Sequence, residues 1–284
     1  HVLKGADPSV KVGNGPLTAQ LGVQGVLDLA SPSPSWRGQI QKMHAEHAGL
    51  GADIAQAFKV DVLMPSAEQT FALDVGAFSI QALIDNVPWL KLHHTKTHVD
   101  EAGFSTQGQT DTLNISAKRV DDLMKRLGLN NDQEKRGGVV DKRERLTALD
   151  DLALKLDWDV ALKDALAGRI RLQRLAGDIM VPAEPAFPLG LNQAEVLVNI
   201  VPGAGGRSVI QADALIQTEK MGYVKAKGSS PIYYSKESGI RLRDADVKEI
   251  VLDAHMDNLA WTSLILKDQL ELGGELIANV KVRS

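Results

Sequence analysis

The run His93-His94-Thr95-Lys96-Thr97-His98 concentrates side chains able to ligate a metal. Read as an extended strand, it puts His94 and His98 on one face about 13 Å apart at ~3.3 Å per residue, too far to share one ion. It therefore reads as surface histidines. Pro202-Gly203-Ala204-Gly205-Gly206 has the glycines of a phosphate-cradling loop but neither the Lys-Ser/Thr that completes one nor a helix after it, so it reads as a hairpin turn. Ser208 and Ser263 lack the G-x-S-x-G context of a nucleophile elbow. The acidic pairs Asp121-Asp122 and Asp150-Asp151 stand at the starts of elements, where capping and solvation account for them. These residues predict no catalytic group, no metal site and no cofactor, and the chain does not read as an enzyme.

What the chain does repeat is a strand pattern. In Leu152-Ala153-Leu154-Lys155-Leu156-Asp157-Trp158-Asp159-Val160 every apolar side chain but Ala153 falls on one parity, and Lys or Asp fills the rest. Successive side chains of a strand point to opposite faces, so the segment is apolar on one side and wet on the other. The same parity returns around Ile170 and Leu172, then around Val196, Val198 and Ile200. It recurs around Ile210, Ala212, Ala214 and Ile216, and again around Leu276, Ala278 and Val280. Upstream it runs through 17–24, 58–62, 71–75 and 113–116. An all-β chain follows, an elongated curled sheet built by serial addition of similar strands.

Composition favours a curved sheet lined with aliphatic side chains over a filled two-layer core: 44% of the 284 residues are hydrophobic but only 4% are aromatic. A net charge of -4 with no basic cluster excludes nucleic acid as a partner class. The absence of cysteine excludes disulfides and Cys-ligated zinc, and is compatible with an oxidising compartment. No apolar run is long enough for a transmembrane helix, and the opening His1-Val2-Leu3-Lys4 has the look of a fragment.

Helical spacing is rare. Val120, Leu123, Met124 and Leu127 recur at i, i+3, i+4 and i+7 before Gly128, predicting one short amphipathic helix near 118–127. A second is expected from Leu259 to Lys267, capped by Asp257 or Asn258. Residues 130–147 carry a dense mixture of charges around Gly137-Gly138 and read as a charged loop or linker. It divides an N-terminal part of the groove, 1–129, from a C-terminal part of the same groove, 148–284.

Several stretches together resemble the TamB family of the AsmA-like superfamily, the large subunits of the translocation and assembly module of Gram-negative bacteria. They are Leu154-Lys155-Leu156-Asp157-Trp158-Asp159, Leu166 to Arg174 with Ala176-Gly177-Asp178, and Leu189-Gly190-Leu191. Trp36-Arg37-Gly38, the stretch Leu252 to Trp261 and Leu272-Gly273-Gly274 extend the likeness over most of the chain. The resemblance implies a periplasmic bridge, anchored in the inner membrane by an N-terminal helix and meeting an Omp85-family barrel of the TamA kind at the outer membrane. It implies a taco-shaped β-sheet with an apolar concave face, and roles in phospholipid passage and outer-membrane protein assembly. Neither the anchor nor the barrel-contacting region is recognisable here, so the chain would be a middle segment.

Pattern and resemblance converge on a lipid groove. About 18 strands at ~4.8 Å spacing would give a trough on the order of 85 Å long. Acyl chains in it would leave water at ~0.8 kcal/mol per methylene, with head groups at the mouth. The expected lining is Leu152, Leu154, Leu156, Trp158, Ile170, Leu172, Val196, Val198, Ile200, Ile210, Ala212, Ala214, Ile216, Leu276, Ala278 and Val280. The rival reading is a closed structural solenoid, a scaffold for protein interaction or outer-membrane protein assembly without lipid conduction. A carbohydrate-active β-helix would require aromatic platforms that 4% aromatics do not supply.

Overall fold

The computed structural model describes residues 10–12, 15–30, 32–47, 49–67, 69–85, 87–116, 149–181, 187–235, 239–241, 248–259 and 273–283. Every regular element among them is a strand, and all belong to one antiparallel sheet. The expected helix near 118–127, the one from 259 to 267 beyond its first residue, and the linker at 130–147 lie outside the described residues.

The strands are β1 (Val10–Val12), β2 (Gly15–Asp28), β3 (Ser35–His47), β4 (Leu50–Ile54), β5 (Phe58–Leu63), β6 (Ala72–Val75), β7 (Phe78–Ile84), β8 (Val87–Asp100) and β9 (Gly103–Ile115). There follow β10 (Leu149–Leu162), β11 (Leu166–Val181), β12 (Phe187–Pro188), β13 (Leu191–Pro202), β14 (Arg207–Thr218), β15 (Gly222–Ser235), β16 (Gly239–Arg241), β17 (Glu249–Met256) and β18 (Leu276–Arg283). Each joins a strand close to it in sequence, giving a long meander. The 18 strands do not make as many ranks, because β4 with β5, β6 with β7, β12 with β13 and β16 with β17 lie end to end against a shared neighbour. The sheet is correspondingly shorter than strand number times spacing. The 202–206 segment is the hairpin turn between β13 and β14, with Gly205 and Gly206 at the left-handed angles such a turn demands.

A line of irregularities crosses β3 to β8. Gln41 is extra in β3, because Gly22 pairs with Lys42 and Val23 with Ile40. Residues 55–57 separate β4 from β5, and Gly76-Ala77 separates β6 from β7. Thr95 is extra in β8, because His94 pairs with Gly108 and Lys96 with Gln107. Bulges bend a strand and increase its twist, and here they stand side by side in adjacent ranks. Apolar residues from both sides of the line meet: Ile54, Phe58 and Val60 are buried, with Trp36, Met43, Leu73, Phe78 and Ile80 packed against them. Phe58 and Phe78 have ring centroids 4.6 Å apart, and His94 stacks on Phe78 at 4.4 Å.

The Thr95 bulge corrects the reading of the histidine run. It turns His94 to the apolar face, beside Phe78 and opposite Gly108, and leaves His98 on the polar face opposite Asp74 and Ser105. His94 is buried, at 8% exposure, so it is no surface histidine. Its Nδ1 donates to the Gly76 carbonyl at 3.0 Å, which leaves Nε2, 2.8 Å from the Thr97 hydroxyl, as the acceptor. Burial holds its pKa below 6.5, against a smaller upward pull from the Gly76 carbonyl. His98 is raised by its hydrogen bonds to Asp74 and then Asp100, at 2.6 and 3.0 Å.

The two histidines oppose each other in pH. A raised folded pKa makes the His98 contribution complete below about pH 6.5 and lost as pH climbs through the folded value. A lowered one makes His94 favour the fold above about pH 6.5 and cost stability as pH falls toward its folded value. Melting temperatures measured from pH 8 to pH 5 should therefore fall more steeply on acidification in His98→Gln than in the parent. In His94→Gln they should fall less steeply.

Candidate functional site: the apolar face

Residues directly opposite in an antiparallel ladder point to the same face, so the registers show which side chains share a surface. One row runs Trp158, Ile170, Val198, Ala212, Gly228, Ile250, Val282 from β10 to β18. The next runs Leu156, Leu172, Val196, Ala214, Ala226, Leu252, Val280. A third joins Val160, Gly168, Ile200 and Ile210, and a fourth joins Ala194, Ile216, Val224, Ala254 and Ala278. Leu152 and Leu154 oppose Ile115 and Leu113, and Leu276 opposes Met256. All the residues expected to line the groove thus stand on one face. That face continues N-terminally through Leu113, Leu90, Ala82, Ala52, Ala45 and Ala19 to β2.

The same face also carries residues the pattern did not single out: Val224, Ala226 and Gly228 on β15, and Ile250, Leu252 and Ala254 on β17. Their period-two alternation with Lys225, Lys227, Val251 and Asp253 was present in the sequence but muted by small side chains.

Exposure divides this face. Val196, Ile216, Ile250 and Val280 are 41%, 48%, 55% and 46% exposed, so the middle of the C-terminal ranks is open. Nearer the β10–β11 and β13–β14 turns the face is sealed: Leu162, Leu166, Ile200 and Ile232 form a buried cluster with Val160, Val198, Ile210 and Tyr234 around it. Ile200, and separately Leu152, are buried core residues.

Trp36 and Trp158, both on this face, lie over glycines. A Cβ on Gly38 or Gly25 would run into the Trp36 indole, and one on Gly108 into the Trp158 indole. The glycines leave bare backbone for the rings to cover, and Trp158 Nε1 donates to the Thr106 hydroxyl at 3.4 Å. W-R-G and W-D are therefore packing signatures here.

The opposite face is polar. Its rows read Asp157, Arg171, Leu197, Asp213, Lys227, Val251, Lys281 and Lys155, Gln173, Glu195, Leu215, Lys225, Asp253, Asn279. Arg171 meets Glu195 at 2.8 Å, Lys281 meets Glu249 at 3.0 Å and Lys227 meets Asp213 at 3.3 Å. The two exposed pairs, Lys281–Glu249 and Lys227–Asp213, add little stability.

Two polar constellations on this sheet escaped the sequence. Ser79 Oγ lies 2.6 Å from His93 Nδ1, and His93 Nε2 lies 2.9 Å from Asp111, which the imidazole and then Lys91 hold below the usual carboxylate range. This has the order of a nucleophile, base and orienting acid. It stands on the paired ranks β7 to β9. Among the described residues no group of His, Asp and Glu is placed to hold a metal ion.

The second constellation is a clasp at the β11–β13 corner. Asp178 accepts the N–H groups of Ile179, Gly190 and Leu191 at 2.7, 2.9 and 2.8 Å. Arg174 donates to the carbonyls of Gly177 and Asn192 at 2.8 and 3.1 Å. Burial pushes the Asp178 carboxyl upward, but the N–H groups of Leu191, Ile179 and Gly190, with the Arg174 charge, bring it below its ordinary value. The R-x-x-G-D and L-G-L segments thus hold a corner together. Asp178→Ala should cost about 1–3 kcal/mol, because it orphans these donors. Since the carboxyl is depressed, the parent's advantage over this variant in urea unfolding should be full above about pH 3.8 and shrink below it.

No family model, curated protein or solved structure matches the chain.

Proposed function

We propose that the chain is a segment of a periplasmic bridge whose curled apolar face carries phospholipid acyl chains between the inner and outer membranes. The observation that carries this reading is the single-sided apolar surface that passes through every rank and stays about half exposed at Val196, Ile216, Ile250 and Val280. Monomeric soluble proteins rarely leave so extensive an apolar surface uncovered without an occupant. Acyl chains fit it because their gain is spread at ~0.8 kcal/mol per methylene over a lining of similar aliphatic groups, with no deep trap along the path. The aligned bulges in β3 to β8 favour a curl, and the rows of β13 to β18 that hold the open residues carry no charged side chain on this face. On this reading an inner-membrane anchor and a TamA-like Omp85 barrel are engaged through other parts of the bridge, and supply of lipid supports outer-membrane protein assembly. No catalysis, cofactor or nucleic acid is involved.

A second reading has its own support. The sealed clusters around Phe58 and Ile232 are those of a filled structural scaffold, which would assist outer-membrane protein assembly without conducting lipid.

Mass spectrometry of an organic extract of the purified protein, with titration of a fluorescent fatty acid, separates the two. The conduit reading expects co-purified phospholipid and saturable fatty-acid binding. A lipid-free extract without binding leaves the scaffold.

A further inference from the structure

We propose that a cleft on the polar face, across β9, β10 and β11, binds a zwitterion whose ammonium and anionic groups stand one rank apart, the chemistry of a phosphoethanolamine group. The cleft has a volume of about 420 Å³ and is lined from these three ranks, with Thr95 of β8 added. That is the size of a small-ligand site. Its origin is in the registers. Thr95 is extra in β8, and Thr110-Asp111-Thr112 of β9 stand against only Lys155-Leu156 of β10. The Thr110 hydroxyl accepts the Leu156 N–H at 2.8 Å, filling the gap in the ladder. Bulges in adjoining strands bend the sheet locally, so the polar side chains beside them stand around open space.

The walls of the cleft form two like rows. Gln107, Asp159 and Arg169 oppose one another across β9 to β11, and so do Gln109, Asp157 and Arg171. Carboxylate and guanidinium are thus cross-strand neighbours twice over, yet neither of these pairs closes. Arg171 turns to Glu195 at 2.8 Å, and Asp157 is held by Lys155 at 3.2 Å. Among the described residues the Asp159 carboxylate has only the Gln107 amide, at 3.5 Å, and Arg169 has no hydrogen bond or ion pair. One anion and one cation, directly opposite each other, therefore remain uncommitted. An anion alone would gain Arg169 but meet Asp157 and Asp159, and a cation alone would meet the reverse. A zwitterion escapes both penalties if its charges lie ~4.8 Å apart, the spacing between ranks. The two-carbon spacer of a phosphoethanolamine group provides that span, whereas the charges of an α-amino acid lie closer together. Its phosphate offers paired oxygens to the Arg169 fork, and its ammonium donates to Asp159.

Such a group occurs free and as the head group of a phospholipid, and soluble probes separate the two sources. Isothermal titration of the purified protein with phosphoethanolamine and with glycerophosphoethanolamine should show saturable binding of one or both at a single site. Uptake of the glycerol diester identifies a head group as the source, and uptake of the monoester alone identifies the free compound. Inorganic phosphate and ethanolamine, each by itself, should bind about tenfold more weakly or worse. Arg169→Gln and Asp159→Asn should each lower the affinity by about tenfold or more while melting as the parent does. Lys227→Gln, on the same face but outside the cleft, should change neither. No saturable binding of either probe, phosphate binding as tightly as phosphoethanolamine, or cleft variants that bind as the parent does would each overturn the proposal. The probes carry no acyl chain and the cleft lies on the face opposite the apolar rows, so these results and those on fatty-acid binding stand or fall separately.

Discussion

Val280→Asp and Ile216→Asp should fold and lose fatty-acid binding, whereas Ile232→Asp should not fold. At 46% and 48% exposure a carboxylate in place of Val280 or Ile216 reaches water along the mouth, and its cost is modest. It nevertheless puts a charge on the path proposed for acyl chains. Ile232, at 3% exposure, packs with Leu162, Leu166 and Ile200. A carboxylate buried there without a partner costs several kcal/mol, a large part of the 5–15 kcal/mol that typically holds a domain together. Asn199→Asp and Lys155→Asp, on the polar face, should keep both fold and binding. Circular dichroism melts and fatty-acid titrations on the same samples provide the comparison. Open-face variants that fold and bind as the parent does would defeat the conduit reading.

Phe58→Ala should cost about 3–5 kcal/mol, with Phe78→Ala close behind, because each ring fills the space where the apolar sides of the sheet meet along the line of bulges. Little can collapse into the gap, since the main chain there is already committed to two breaks and two bulges. Urea unfolding should register the loss as a lower midpoint. Phe78→Ala also removes the surface on which His94 stacks, so it should change the acid limb of the stability profile as well. Phe58→Ala should leave that limb closer to the parent's. Fatty-acid binding by the still-folded fraction should persist in both, because the open residues of β13 to β18 lie in other ranks.

The fold class was legible because strand parity is local: Leu152 to Trp158 state their face within seven positions of one segment. So was the shared surface, since each strand repeats the same statement. What the sequence hid was any effect of one inserted residue. Thr95 reverses the facing of His94 relative to His98, and nothing in His93-His94-Thr95-Lys96-Thr97-His98 announces it. The crease likewise needs Gln41, residues 55–57 and Gly76-Ala77 to fall side by side, which depends on registers set far apart in the chain. The division of the lining was hidden for a similar reason. Val196 and Ile200 look alike in sequence, and only their distance from the turns decides that one is open and the other sealed. Partners such as Asp74 for His98, 24 positions away, have no spacing signature at all.

Because the sheet is a meander, nearly all its pairing is between neighbours in sequence, and it behaves as a one-dimensional stack. Such a stack can nucleate at any hairpin and grow outward, avoiding the slow search for distant partners that delays most β-sandwiches. Amide exchange should then be graded, fastest at β1 and β18 and slowest in the ranks around β10. The same architecture gives evolution an adjustable ruler. Inserting or deleting one hairpin changes the span by about 10 Å, preserves strand direction, and leaves every other register untouched.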